Sequence, residues 1–237
     1  MKNDIYDIYV IVVRQPFALA GFELLGRPLS EYVEQCASSF PYVTVDCDKY
    51  LSVMSKYEYL AVLYADMALV TPEILQKAAR TMAQRRIKKM EIGRGFLLEY
   101  GYDADLVAKY CVNAPEFLSV NDTTSLSIVY NILKERIIDK HLANGVLVLD
   151  SKNTIVDDTV IIEAGATLEP FTRIVGNTTI QKNAIIGSFS LVSNSLIMEN
   201  AYIQQSVVDG SVVGKNVTIH PFSHCGKSGE IFENSTV

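Results

Sequence analysis

The sequence predicts an α/β domain joined by a long helix to a parallel β-helix. Three observations predict it. From Val156 to Val192 a large aliphatic residue recurs at every sixth position. In the first part of the chain, β-branched apolar runs alternate with helical segments. Between the two, from about Thr124 to Asn144, apolar residues form a stripe at helical spacing. The boundaries are 1–122 for the α/β domain, 123–145 for the connecting helix, and 146–237 for the β-helix with its polar tail.

The N-terminal elements follow in order. Ile8-Tyr9-Val10-Ile11-Val12-Val13 is a near-continuous apolar run, as a buried parallel strand requires. Residues 28–36 have helical character, and Tyr42-Val43-Thr44-Val45 reads as a short strand. Tyr59-Leu60-Ala61-Val62-Leu63-Tyr64 is another buried strand, ending at Asp66. Thr71-Pro72-Glu73 opens a helix, with threonine as N-cap, proline in the first turn and glutamate near the positive helix end. Alternation of this kind implies a three-layer, mostly parallel sheet. The basic run Arg85-Arg86-Ile87-Lys88-Lys89 reads as a solvated helix face. In the connecting helix Leu126, Ile128, Val129, Ile132, Leu133, Ile137 and Ile138 make the stripe, and Asn144-Gly145 stops it.

The C-terminal third carries the strongest signal. Val156, Ile162, Leu168, Ile174, Ile180, Ile186 and Val192 are six apart, and four positions after most of them stands a compact residue: Val160, Ala166, Thr172, Thr178, Ala184, Ser190. A period of six fits neither a helix nor an ordinary strand. It fits a β-helix, in which each hexad lays one short strand along one side of a prism. After Val192 the series continues through Ile197, Ile203, Val208, Val213 and Ile219 in steps of five and six, so later turns are less regular. Three hexads make a coil, so about three to four coils fit between Thr154 and Cys225. The tail from Gly226 to Val237 is either a cap or disordered.

Composition excludes several classes. Hydrophobic residues are 49% and charged residues 20%, enough for a sizeable core. The net charge of −6 argues against a nucleic-acid coat. Cys36, Cys47, Cys111 and Cys225 share no metal-ligand spacing. His220, His224 and Cys225 lie close in sequence, but successive β-helix positions alternate in and out, so no zinc site is expected there. Asn3, Asp4 and Asp7 interrupt any signal-like run, and no stretch is long and apolar enough to span a bilayer. The expectation is a cytoplasmic protein with reduced thiols and no membrane partner.

Several stretches carry a family resemblance: LLGRPLSEYV (24–33), YLAVLYADMALVTPEIL (59–75), FLSVNDTTSLS (117–127), KHLANGVLVLDSKNTIVDDTVII (140–162) and VTIHPF (217–222). With the order of elements, they resemble the bifunctional N-acetylglucosamine-1-phosphate uridyltransferase/glucosamine-1-phosphate acetyltransferase family. That resemblance implies a small nucleotidyltransferase-like (Rossmann-like) domain, a linking helix and a left-handed β-helix that trimerises. Its uridylyl transfer is phosphoryl chemistry on UTP that uses Mg²⁺. By the resemblance Asp66 and Asn121 are the metal ligands, and Arg14 is the candidate phosphate contact. The plainer alternatives are a turn residue for Asp66 and an N-cap for Asn121.

The departures from the family are substantial. Its first strand is followed by a glycine-rich phosphate loop with a basic residue, whereas here only Arg14 and Gly21 of Arg14-Gln15-Pro16-Phe17-Ala18-Leu19-Ala20-Gly21 echo it. Between Asp66 and Asn121 the chain is much shorter than the family it resembles, whose stretch there supplies uracil- and sugar-binding walls; Gly93-Arg94-Gly95 reads as a turn, with a remnant of those walls as the alternative. Coenzyme A and acetyl transfer are not expected, because no acetyltransferase residue has a counterpart. The sequence therefore supports a protein that binds UTP or a sugar nucleotide, with uridylyl transfer impaired. The alternative is a non-catalytic trimeric scaffold or regulatory subunit. A glycosyltransferase would look instead to Asp46-Cys47-Asp48.

Overall fold

The computed structural model describes residues 5–14, 22–45, 57–102, 109–112, 114–226 and 229–237. The chain forms two compact units, Met1–Glu23 with Pro28–Val129 and Leu24–Arg27 with Tyr130–Val237.

The elements of the first part are β1 (Ile8–Val13), β2 (Glu23–Leu24), β3 (Arg27–Pro28), α1 (Leu29–Ala37), β4 (Tyr42–Val45), β5 (Tyr59–Tyr64), α2 (Pro72–Arg85), β6 (Lys89–Ile92), β7 (Gly95–Glu99) and β8 (Lys109–Val112). α3 (Thr123–Ala143) follows. The main sheet runs β4-β1-β5-β7-β6-β8. Only β7 is antiparallel to its neighbours, and the other pairings are parallel. The sequence shows β1, β4 and β5 as apolar runs. The β6–β7 hairpin escapes notice because Lys89, Glu91 and Gly95 interrupt its pattern.

One sheet face builds the core. Ile8, Val10 and Val12 of β1 and Tyr59, Ala61 and Leu63 of β5 join Val33, Cys36 and Ala37 of α1 and Leu75, Ala78, Ala79 and Met82 of α2. A smaller cluster on the other face holds Ile11, Val13, Leu60, Val62 and Leu98. The three-layer expectation differs from this at one point: α1 and α2 share a face, and strand–helix alternation alone does not say on which face a helix lands. Cys36 lies in that core, where burial and, second, the charge of Glu73 push its thiol up to about 12. That removes it as a nucleophile.

Two local expectations need correction. Thr71 stands at the N-cap of α2, but its side chain makes no capping hydrogen bond. The basic run is not a helix face. α2 ends at Arg85, Arg86 takes the left-handed conformation (φ 56°), and the chain enters β6. There Lys88 pairs with Glu99 at 2.7 Å, and Lys89 is buried with its ammonium 4.8 Å from the Phe96 ring.

In α3 the buried positions Val129, Leu133, Ile137 and His141 are four apart, so they lie along one side of the helix, with Ile138 beside them. Ile128, placed in the stripe by sequence, is exposed. The helix enters through Asp122, whose carboxylate accepts the Ser125 backbone N–H at 2.7 Å, while Ser125 Oγ accepts the Asp122 N–H at 3.1 Å. These two reciprocal bonds satisfy donors that a helix start leaves open.

The C-terminal unit is a left-handed parallel β-helix. Its two- and three-residue strands form three five-stranded parallel sheets. The inward ladders follow the hexad: Val156, Ile174, Val192, Val208 and Cys225 in one sheet, Val148, Leu168, Ile186, Ile203 and Ile219 in another. Corners need left-handed backbone. Asn183, Asn200, Asn216 and Asn234 supply it at φ 59°, 59°, 56° and 62°. Their amides chain together at 3.3, 3.0 and 3.0 Å. The five-residue steps end in serines. Ser195, Ser206 and Ser211 donate to the carbonyl two residues back, at 2.6, 2.6 and 3.2 Å, closing a corner shorter by one residue. The tail extends the coil: Glu230–Ile231 pairs with Val212–Val213, and the Thr218 N–H donates to Ser235 O at 3.1 Å.

The segment Leu24–Arg27 belongs to this second unit. Leu25 (φ 50°) and Gly26 (φ 80°) form a tight turn whose Leu25 carbonyl accepts the Asp158 N–H at 2.9 Å. Arg27 Nε donates to Asp158 Oδ2 at 2.6 Å.

Candidate functional site

Three chain segments of the α/β unit meet beyond the C-terminal end of β5, where ligands collect in open α/β sheets. The first is the turn holding Asp66. The second is the Gly93-Arg94 turn of the β6–β7 hairpin. The third runs from the short 3₁₀ turn Pro115–Phe117 to Asn121. A backbone bond from Val120 N–H to Asp66 O, 3.0 Å, ties the third segment to the first.

Both glycines around Arg94 are dictated by close approach. Gly93 has φ +62°, and a Cβ there would stand 2.0 Å from the Phe117 carbonyl oxygen. A Cβ on Gly95 would stand 2.2 Å from the Val62 carbonyl oxygen. No other residue type fits either place. The hairpin turn therefore sits tight against the Phe117 backbone and β5, and it delivers Arg94 to one point. There Arg94 Nη1 donates to Asp66 Oδ2 at 2.7 Å, and the guanidinium lies 4.4 Å over the Tyr64 ring.

The result is an open cleft of about 570 Å³ lined by Gly93, Arg94, Val112, Leu118, Ser119 and Asn121, among others. Arg94 faces it. Asp66 is fully buried and is not among the lining residues. Two buried polar atoms here lack a hydrogen-bond partner, Asp66 Oδ1 and Ser119 Oγ. Native proteins leave few such atoms, and they concentrate where a ligand or water completes the set.

Of the predicted residues, the structure brings Asp66 and Asn121 to the same cleft, Asp66 behind Arg94 and Asn121 on the lining. It does not bring Arg14 there. Arg14 Nε donates to Glu34 Oε1 of α1 at 2.8 Å, on an exposed surface. Asn121 does not cap α3, since Asp122 does. Gly21 and the pair Asp46 and Asp48 lie outside the described residues. Cys225 is buried among the inward ladder residues, whereas His220 and His224 are exposed. Among the described residues no three His, Cys, Asp or Glu side chains cluster to hold a metal. The resemblance implies Mg²⁺ between Asp66 and Asn121, but these donors do not fit it as arranged. Among the described residues no lining residue carries a carboxylate, and Asp66 already holds a cation, the Arg94 guanidinium.

Sequence reading did not assign Arg94 or Ser119 to the site. The signal for Arg94 is the glycine on each side of it, a motif that reads as a turn or as a remnant of the family's sugar- and uracil-binding walls.

Comparison with known proteins gives the relationship. A family profile for the GMPPB C-terminal domain matches residues 151–236. The bifunctional protein GlmU of a Cyanothece species is 39% identical over 109 residues, 46% of this chain. The Trichormus variabilis and Synechococcus elongatus proteins of the same name are 32% and 35% identical over 122 and 121 residues. Over about half of its length this chain is similar to these GlmU proteins. It spans about a quarter of the length of those GlmU proteins, 24% to 27%. Among solved structures, the acetyltransferase domain of PglB from Neisseria gonorrhoeae, in complex with acetyl coenzyme A, overlays 96% of this chain and 95% of its own at 11% identity, with a TM-score of 0.35. The profile match falls in the β-helix, while the candidate residues Asp66 and Asn121 lie in the other unit. No helix among the described residues is long and apolar enough to cross a membrane.

Proposed function

We propose that the α/β unit binds a sugar nucleotide, UDP-N-acetylglucosamine or a close analogue, and that uridylyl transfer from UTP is impaired. One observation carries the reading. A cleft beyond the C-terminal end of β5 is lined by an arginine, a serine with a buried unpartnered hydroxyl and an exposed asparagine. An arginine suits phosphate, and hydroxyl and amide groups suit sugar or base edges. The family-level relationship to GlmU supports a sugar-nucleotide role. Impairment is supported by the departure of residues 14–21 from the glycine-rich loop and by the poor fit of the donors to Mg²⁺. The β-helix is assigned to homotrimer formation, on the resemblance and on the tendency of oligomers to close symmetrically.

Calorimetric titration with UDP-N-acetylglucosamine and with UTP tests this reading. The expected result is saturable binding of the sugar nucleotide that weakens in Asn121→Ala, with no measurable turnover of UTP and N-acetylglucosamine 1-phosphate. No heat from either ligand contradicts the reading and turns attention to the scaffold alternative.

A further inference from the structure

Asp66 is the one carboxylate the resemblance offers to a divalent metal, and its carboxylate bonds Arg94 at 2.7 Å. Arg94 is no chance neighbour. Its position is fixed from three sides: Gly93 packs on the Phe117 carbonyl, Gly95 packs on the Val62 carbonyl, and the guanidinium carbon lies 4.4 Å over the Tyr64 ring. The side chain is 37% exposed and lines the cleft, while Asp66 behind it is fully buried. The positive charge presented to a ligand at this point is therefore a guanidinium with a buried counter-ion. A guanidinium carries five N–H donors in a planar fork, and that fork matches phosphate oxygens. A buried carboxylate behind it holds the plane in place, much as a carboxylate orients a metal-bound histidine. Ser119 adds an unpartnered hydroxyl on the same lining, more than nine-tenths buried.

We propose that Arg94 stands in the cation's place beside Asp66, so that the cleft takes the phosphate groups of its ligand without a divalent metal. This rests on the sugar-nucleotide reading above and deepens it. Asp66 acts here as a positioning residue, and Arg94 touches the phosphate.

Two measurements on the full chain test it. In the first, Mn²⁺, a paramagnetic stand-in for Mg²⁺, is titrated without nucleotide and its free signal is followed by electron paramagnetic resonance. The expected result is a signal equal to buffer alone. In the second, UDP-N-acetylglucosamine and inorganic pyrophosphate are titrated in EDTA and in Mg²⁺. Equal affinity in the two buffers is expected, with a loss of about tenfold or more in Asp66→Asn/Arg94→Met, the scale of a lost charge-assisted hydrogen bond. That double variant removes both charges together, so no buried charge is left unpaired. Stoichiometric Mn²⁺ binding lost in Asp66→Asn overturns the proposal, as does sugar-nucleotide binding that requires Mg²⁺ or survives the double variant unchanged. In those cases the sugar-nucleotide reading stands. No binding of the sugar nucleotide in either buffer overturns both.

Discussion

The β-helix and the α/β unit solve opposite problems. In the β-helix every interior position is set locally. A residue six places along lands on the next side of the prism, and its ladder partner stands one coil away, as Ile174 does above Val156. The candidate site in the α/β unit is set by nothing local. Residues 66, 94 and 119–121 come together only when a strand end, a hairpin turn and a 3₁₀ exit converge. The periodic unit announces its structure, and the non-periodic unit holds the candidate site.

The two regions should also fail differently. Ile186, fully buried in an inward ladder, is the sharpest probe of the β-helix. Ile186→Ala should cost about 2–5 kcal/mol, read as a lower denaturation midpoint with unchanged α/β-unit signals. If the α/β unit unfolds with it, the separation drawn here is broken. In the other unit Arg94→Ala strands a fully buried carboxylate. Such losses run about 3–5 kcal/mol, and the low end, about 3 kcal/mol, is expected because Arg94 is partly exposed. Arg94→Ala/Asp66→Asn should recover most of it, measured as a double-mutant cycle.

Smaller effects test the corners and the connecting helix. Asn200→Ala removes an αL-tolerant residue and two amide links in the asparagine chain, at an expected cost of about 1–2 kcal/mol. Asn200→Gly, which keeps the backbone freedom, should lose less, and equal losses would place the effect in the side-chain bonds alone. His141 is the pH probe. Burial first, and the charge of Lys140 second, lower its pKa from 6.5, with Asp158 opposing. The folded protein then binds fewer protons than the unfolded chain below about pH 6.5, so stability is full above that value and falls as pH drops through it. His141→Gln should flatten this segment of a stability–pH profile.

The fold was legible where the pattern was strict. The hexads, β1, β4, β5, α1, α2 and α3 all follow from spacing or apolar runs. Even the later irregularity was visible in steps of five, although the role of Ser195, Ser206 and Ser211 in closing those corners was not. What escaped was non-local. Lys89 is buried in a strand with its ammonium over the Phe96 ring, which no local pattern states. Of the candidate site, Asp66 and Asn121 were reached through family resemblance. Arg94 was hidden because the need for glycine on either side of it arises from Phe117 and Val62, distant in sequence. Arg14, chosen for its place after the first strand, instead pairs with Glu34, one helix away.

The most direct test of the division of labour is hydrogen–deuterium exchange on the full chain with and without UDP-N-acetylglucosamine. Binding at the cleft should slow exchange in peptides spanning Ile92–Gly95 and Ala114–Asn121 and leave the β-helix coils unchanged. Protection confined to residues 151–226, with the cleft peptides unaffected, would contradict the account and assign the ligand to the β-helix.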